Sequence, residues 1–120
     1  MILVDTSVWI DHLRKGDDGL RSMLQASQVL IHPFVVGEIA LGNLQRRELI
    51  LRTLRNLPHS TSATDTEVHA FIEGHSLFGL GIGYVDAHLL ASVRLTNAFL
   101  WTRDKRLYDV AIKLGLAQTP

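Results

Sequence analysis

The chain has 120 residues, 47% of them hydrophobic and 20% charged, a mixture that supports one domain with a buried core. Twelve basic residues balance twelve acidic ones, so net charge does not mark a nucleic-acid binder, although nine of the twelve are arginine, suited to phosphate contacts. Cysteine is absent, which excludes disulfides and thiolate metal sites and suits a reducing compartment.

Residues 2–4 are a short apolar run and read as a buried strand. Thr6 or Ser7 suits the cap of a helix whose apolar side is Val8, Trp9, Ile10 and Leu13. A turn over 16–19 leads to a short helix over 20–26 and a second strand over 29–31. Pro33 opens a helix running to about Gly42. An amphipathic helix spans 45–57, and another, capped by Thr64 or Asp65, reaches about Leu77. Gly79, Gly81 and Gly83 make a loop before a helix over 84–95 that Asn97 ends. A third strand over 98–101 precedes a last helix over 104–114. The alternation predicts an α/β layer fold with a mainly parallel sheet, as one domain over 1–120. No basic, apolar, cleavable leader opens the sequence and no apolar run nears the ~20 residues of a membrane span, so the expectation is a cytoplasmic chain with no membrane contact.

Four acids stand where solubility explains them poorly. Asp5 ends the first strand, and Asp104 follows the third. Ligands of parallel α/β sheets collect beyond the carboxyl ends of the strands. Asp86 shares a helical face with Leu89, Leu90 and Val93, and Glu38 shares one with Phe34, Val35 and Leu41. Asp104 aligns likewise with Leu107, Tyr108 and Ala111, so helical spacing aims all three towards the core. Taken singly, Asp5 reads equally well as a helix cap, Asp86 and Asp104 as partners of helix dipoles, and Glu38 as half of an ion pair. Together they point to one acidic pocket, and such a pocket calls for a hard divalent cation.

The segments 2–10, 33–42, 83–91 and 100–107 resemble, in this order and over nearly the whole chain, those of PIN-domain ribonucleases. They are most similar to the VapC toxins of bacterial type II toxin–antitoxin modules. The resemblance implies a three-layer αβα sandwich with a mainly parallel central sheet. It implies cleavage of RNA phosphodiesters with Mg²⁺ or Mn²⁺, with Asp5 and Asp86 as main ligands and Glu38 and Asp104 completing the site. The family's hydroxyl positions near the metal fall on Thr6 or Ser7 and on Thr102. A homodimer and a VapB-type antitoxin that blocks the pocket are implied as well.

Contacts to RNA are expected from Arg103, Lys105 and Arg106, which flank Asp104. The cluster Arg46, Arg47, Arg52 and Arg55 reads better as a solvated helix face. Histidine metal binding is disfavoured, because His69, Glu73 and His75 lack the one-turn histidine spacing of helical zinc motifs and His88 diverges from Asp86. The glycines at 79–83 miss the dinucleotide fingerprint, since Tyr84 replaces its third glycine. Trp9 and Trp101 read as core. Two rivals remain. A phosphatase of the haloacid-dehalogenase type needs a second aspartate where Ser7 stands. A non-catalytic binding module would keep the fold without turnover.

Overall fold

The computed structural model describes all 120 residues. Three strands, β1 (Ile2–Val4), β2 (Val29–Leu30) and β3 (Phe99–Trp101), form a parallel sheet in the order β2-β1-β3. Leu3 stands opposite Leu30 on one side and Leu100 on the other. Isolated bridges at Ile31–His59 and Leu100–Ala117 add one pairing beyond each outer strand. All of β1 is buried. Successive strand side chains face opposite ways, so both faces of the sheet are covered, as parallel sheets require.

The cover comes from α1 (Thr6–Lys15), α2 (Asp18–Gln25), α3 (Pro33–Ala40), α4 (Arg47–Arg55), α5 (Asp65–Gly74), α6 (Tyr84–Thr96) and α7 (Lys105–Lys113). Local chemistry sets the helix ends. Pro33 is the first residue of α3, and His32 accepts the Phe34 N–H on Nδ1 at 3.0 Å. Thr64 and Glu67 close a reciprocal capping box on α5. Asn97, in the left-handed conformation, ends α6. The largest fully buried side chains include Leu3, Ile31, Leu89, Leu90, Leu100 and Leu107, drawn from the sheet, α6 and α7. Each such side chain stabilises the fold by roughly 1.5–3 kcal/mol. Trp9 and Trp101 are buried in the same core.

Several boundaries differ from those the sequence suggests, three of them with a clear local cause. The second strand keeps two residues, because Ile31 turns to pair with the 58–60 segment. The α4 helix starts at Arg47, not Gln45, because Arg46 takes a left-handed backbone (φ 53°). The α5 helix stops at Gly74 because Ser76 does the same (φ 52°). No helix is long and apolar enough to cross a membrane.

The chain runs from β1 to β2 on one side and later to β3 on the other. The carboxyl ends of β1 and β3 therefore flank a topological switch point, where open α/β sheets take ligands. Asp5 follows the first of these ends and Thr102 the second.

Candidate active site

Asp5 occupies the N-cap position of α1, yet its side chain makes no capping bond. It turns instead to two hydroxyls. Ser7 donates to Asp5 Oδ2 at 2.7 Å, and Thr102 donates to the same oxygen at 2.8 Å. Both hydroxyl oxygens then accept backbone protons: Ser7 from Arg103 N–H at 3.0 Å, Thr102 from Asp104 N–H at 3.1 Å. Their mutual contact at 3.3 Å is therefore packing, since each proton is already directed at Asp5. Asp5 Oδ1 accepts no hydrogen bond from the protein. Capping does not explain Asp5, which is a buried carboxylate with no basic partner.

Asp86 lies in the first turn of α6, half-buried, and accepts the Gly83 N–H at 2.9 Å. Its pKa is raised above the ordinary aspartate value. Burial is the main cause, and the negative charges of Asp5, Asp104 and Glu38 add to it. The four acids are thus near enough to repel one another. None of them is in an ion pair.

Glu38 corrects the sequence reading. It is exposed, and so are Phe34 and Leu41, the residues expected to share its buried face. The α3 helix buries Val35, Val36 and Ile39 instead. Glu38 is held at the open side by the Thr6 hydroxyl, which donates to Oε1 at 2.6 Å. Asp104 is also exposed, against the inward aim its spacing suggested, because it stands at the N-cap of α7 and accepts the Leu107 N–H at 3.0 Å. Of the four acids only Asp5 is fully buried, so they form an open group rather than a closed cage.

No three acidic or histidine side chains converge closely enough to clasp an ion by themselves. The donor set nonetheless fits a hard cation. It is all oxygen and rich in carboxylates, it is unrelieved by lysine or arginine, and Mg²⁺ characteristically takes only one or two carboxylates and keeps several waters.

The basic residues expected at the rim are mostly engaged elsewhere. Arg103 donates to Asp11 Oδ2 at 2.6 Å and to Asp17, and lies 5.6 Å from the Trp101 ring centroid. Lys105 pairs with Asp109 at 3.3 Å. Arg106 packs against Gly81, whose positive φ of 79° lets the backbone turn beneath it; a Cβ there would meet the guanidinium at 2.7 Å. The sequence reading did not anticipate an aromatic chain beside Asp86. The Phe34 ring makes edge contacts with His32 and His88, and His88 meets Tyr84 in the same way. His88 Nε2 comes within 3.2 Å of Asp65 but is out of line for a hydrogen bond. Its only sequence signal was a histidine two positions from Asp86.

Acids at a strand switch point, pinned by hydroxyls, are now joined by sequence comparison. The PIN domain profile matches residues 2–113. The chain belongs to the PIN-domain family. Ribonuclease VapC32 of Mycobacterium tuberculosis, in strains CDC 1551 / Oshkosh and ATCC 25618 / H37Rv, is 46% identical over 118 residues, covering 98% of this chain and 95% of the relative. Two solved structures share the fold. FitAcB from Neisseria gonorrhoeae superposes with a TM-score of 0.64 at 18% identity, covering 93% of this PIN domain and 94% of that chain. FitAB bound to an IR36 DNA fragment gives 0.65 at 20% identity, covering 93% and 91%.

Proposed function

We propose that this PIN domain is a metal-dependent endoribonuclease of the VapC toxin type. Two facts support the reading: a relative named as a ribonuclease is 46% identical over nearly the full chain, and the acids have no basic partner. The observation that carries it is Asp5, a buried carboxylate whose Oδ2 takes two hydroxyl protons while Oδ1 takes none. A cation relieves the cost of such a group.

Asp5 and Asp86 would hold Mg²⁺ or Mn²⁺, with Glu38 and Asp104 completing the set. When bound, the cation supplies Lewis acidity, making hydroxide available near neutral pH and stabilising charge on the phosphate. The chain's own residues supply orientation. Ser7 and Thr102 fix the Asp5 carboxylate, and Thr6 fixes Glu38. Asp86 must be ionised to serve, and its raised pKa marks a site poised to accept positive charge. Ser7 also removes the phosphatase reading's second aspartate and uses its hydroxyl to position the first.

The VapC likeness extends the proposal to a VapB-type antitoxin, a homodimer and a cytoplasmic setting. The test is cleavage of total cellular RNA by purified, antitoxin-free protein, with Mg²⁺ or Mn²⁺ against EDTA. Discrete metal-dependent fragments, lost in Asp5→Asn, are expected. Cleavage that survives EDTA or that substitution would overturn the assignment. Folded, metal-binding protein that cuts nothing would favour the binding-module reading.

A further inference from the structure

Net neutrality conceals a segregated charge. Of the basic residues nearest Asp104, Arg103 and Lys105 are paired with carboxylates, and Arg106, without an ion pair, packs against Gly81. Arg14, Arg46 and Arg52 are exposed as well, and none has an ion pair or side-chain hydrogen bond. They sit on one continuous surface. A groove of about 600 Å³ lies between α1, α3 and α4, lined by Arg14, Arg46 and Glu38 among others. A second concavity, also about 600 Å³, continues over the first turn of α4 and shares Arg46 with the groove while adding Arg52.

The turn that presents Arg46 is braced. Arg47 donates to the carbonyl oxygens of Ala40 and Gly42, tying the start of α4 to the end of α3. Of these neighbouring arginines, one is spent on the backbone and the other is free. Arg46 is the last residue before α4 and has a left-handed backbone, which sets its side chain at the junction of the two concavities. One acid, Glu48, shares the outer concavity and is not paired with any of its arginines.

We infer that Arg14, Arg46 and Arg52 form the phosphate track for a single-stranded RNA segment leading into the acidic pocket at Glu38. The inference rests on the ribonuclease reading and assigns its substrate surface to the α1–α4 side, away from α7. An acidic pocket repels a polyanion, so a nuclease needs unpaired cations beside it, and guanidinium forks are suited to phosphate oxygens. The track starts at one of the four acids and continues outward, which links binding to the scissile position.

The test uses Asp5→Asn protein, which is not expected to cleave, with a labelled mixed-sequence single-stranded RNA titrated across a salt series. The variants Arg14→Gln, Arg46→Gln and Arg52→Gln are made in that background and in the active chain, with Arg103→Gln as control. Each track variant is expected to weaken binding and flatten the log K against log salt slope by about 0.7. In the active chain each raises KM with kcat largely kept. Unchanged slopes in all three variants, with RNA still cleaved by the parent, would overturn the track and leave the ribonuclease reading standing. Loss of affinity for an acidic peptide but not for RNA would overturn it equally, making the groove a protein-docking surface. A parent that neither binds nor cuts RNA would sink the ribonuclease reading first, and the track with it.

Discussion

Thr102 donates its hydroxyl to Asp5 Oδ2 at 2.8 Å, across 97 positions of sequence. The bond joins the ends of two neighbouring parallel strands, β1 and β3, at the point where the chain reverses its order across the sheet. The same oxygen of Thr102 accepts the Asp104 N–H, so one hydroxyl sets both an interior acid and a rim acid.

Replacing Thr102 by valine keeps the shape and removes this hydroxyl. Asp5 then retains only Ser7, and the Asp104 N–H loses its acceptor. A buried group left short of a partner costs about 1–3 kcal/mol, and lost support behind a metal ligand typically weakens metal affinity about 10–100-fold. The expected result is a raised Mn²⁺ dissociation constant by calorimetry, with Thr102→Ser restoring it. Equal affinity in the valine and wild-type chains would remove Thr102 from this role.

Asp86 carries a cost in stability. Its pKa is raised by burial and then by Asp5, Asp104 and Glu38, so its ionised form is disfavoured in the fold. Asp86→Asn removes the charge and keeps an oxygen to accept the Gly83 N–H. The variant is expected to lose cleavage yet melt a few degrees higher in metal-free buffer, at about 4 °C per kcal/mol for a domain of this size. A lower melting temperature would mean that Asp86 is there for capping rather than for charge.

The strand-end positions of Asp5 and Asp104 were legible because each closely follows an apolar run that reads as a strand, although Asp104 also caps α7. Asp5 is the clearer case, since a two-residue offset separates it from Ser7 and the structure spends that offset on a hydrogen bond. The face of α3 was not legible. Phe34, Val35, Val36, Ile39 and Leu41 surround the helix almost completely, so spacing alone could not select which side meets the core, and Glu38 was assigned to the wrong one. Arg103 shows the other limit. Its carboxylate partners lie 92 and 86 residues away, on α1 and before α2, and nothing local in the sequence pairs them. Arg14 was missed for the same reason, because only packing brings the end of α1 beside Glu38.

His32 makes stability depend on pH. It is fully buried at the start of α3, where Nδ1 accepts the Phe34 N–H and Nε2 has no partner. Burial, with repulsion from His88 and His59, lowers its pKa from 6.5 to about 4. The unfolded chain therefore binds this proton more tightly than the folded one. The histidine's contribution is intact above pH 6.5, erodes as pH falls through that value and is spent below about 4, a span worth roughly 3 kcal/mol. His32→Asn keeps an acceptor for Phe34 and does not titrate. Urea midpoints measured from neutral to mildly acidic pH should fall more steeply in the wild type than in this variant. Parallel curves would show that His32 does not carry the dependence.

Arg103 was expected to touch RNA, and its geometry gives it a different task. Its fork spans Asp11 on α1 and Asp17 at the cap of α2, with the guanidinium near the Trp101 ring. Those two carboxylates hold its charge more firmly, while the Leu20 N–H first and the Arg103 guanidinium second keep the Asp17 pKa below its ordinary value. A lysine ammonium lacks the planar, fixed fork with which the guanidinium meets both carboxylates. Arg103→Lys should therefore cost about 1 kcal/mol, the modest figure expected of a partly exposed ion-pair network. Arg103→Gln, which removes the charge, should leave the salt dependence of RNA binding unchanged, because the residue's charge is already neutralised in the free protein. A flattened salt slope with unchanged stability would return Arg103 to the RNA surface and assign its two aspartates a holding role that RNA displaces.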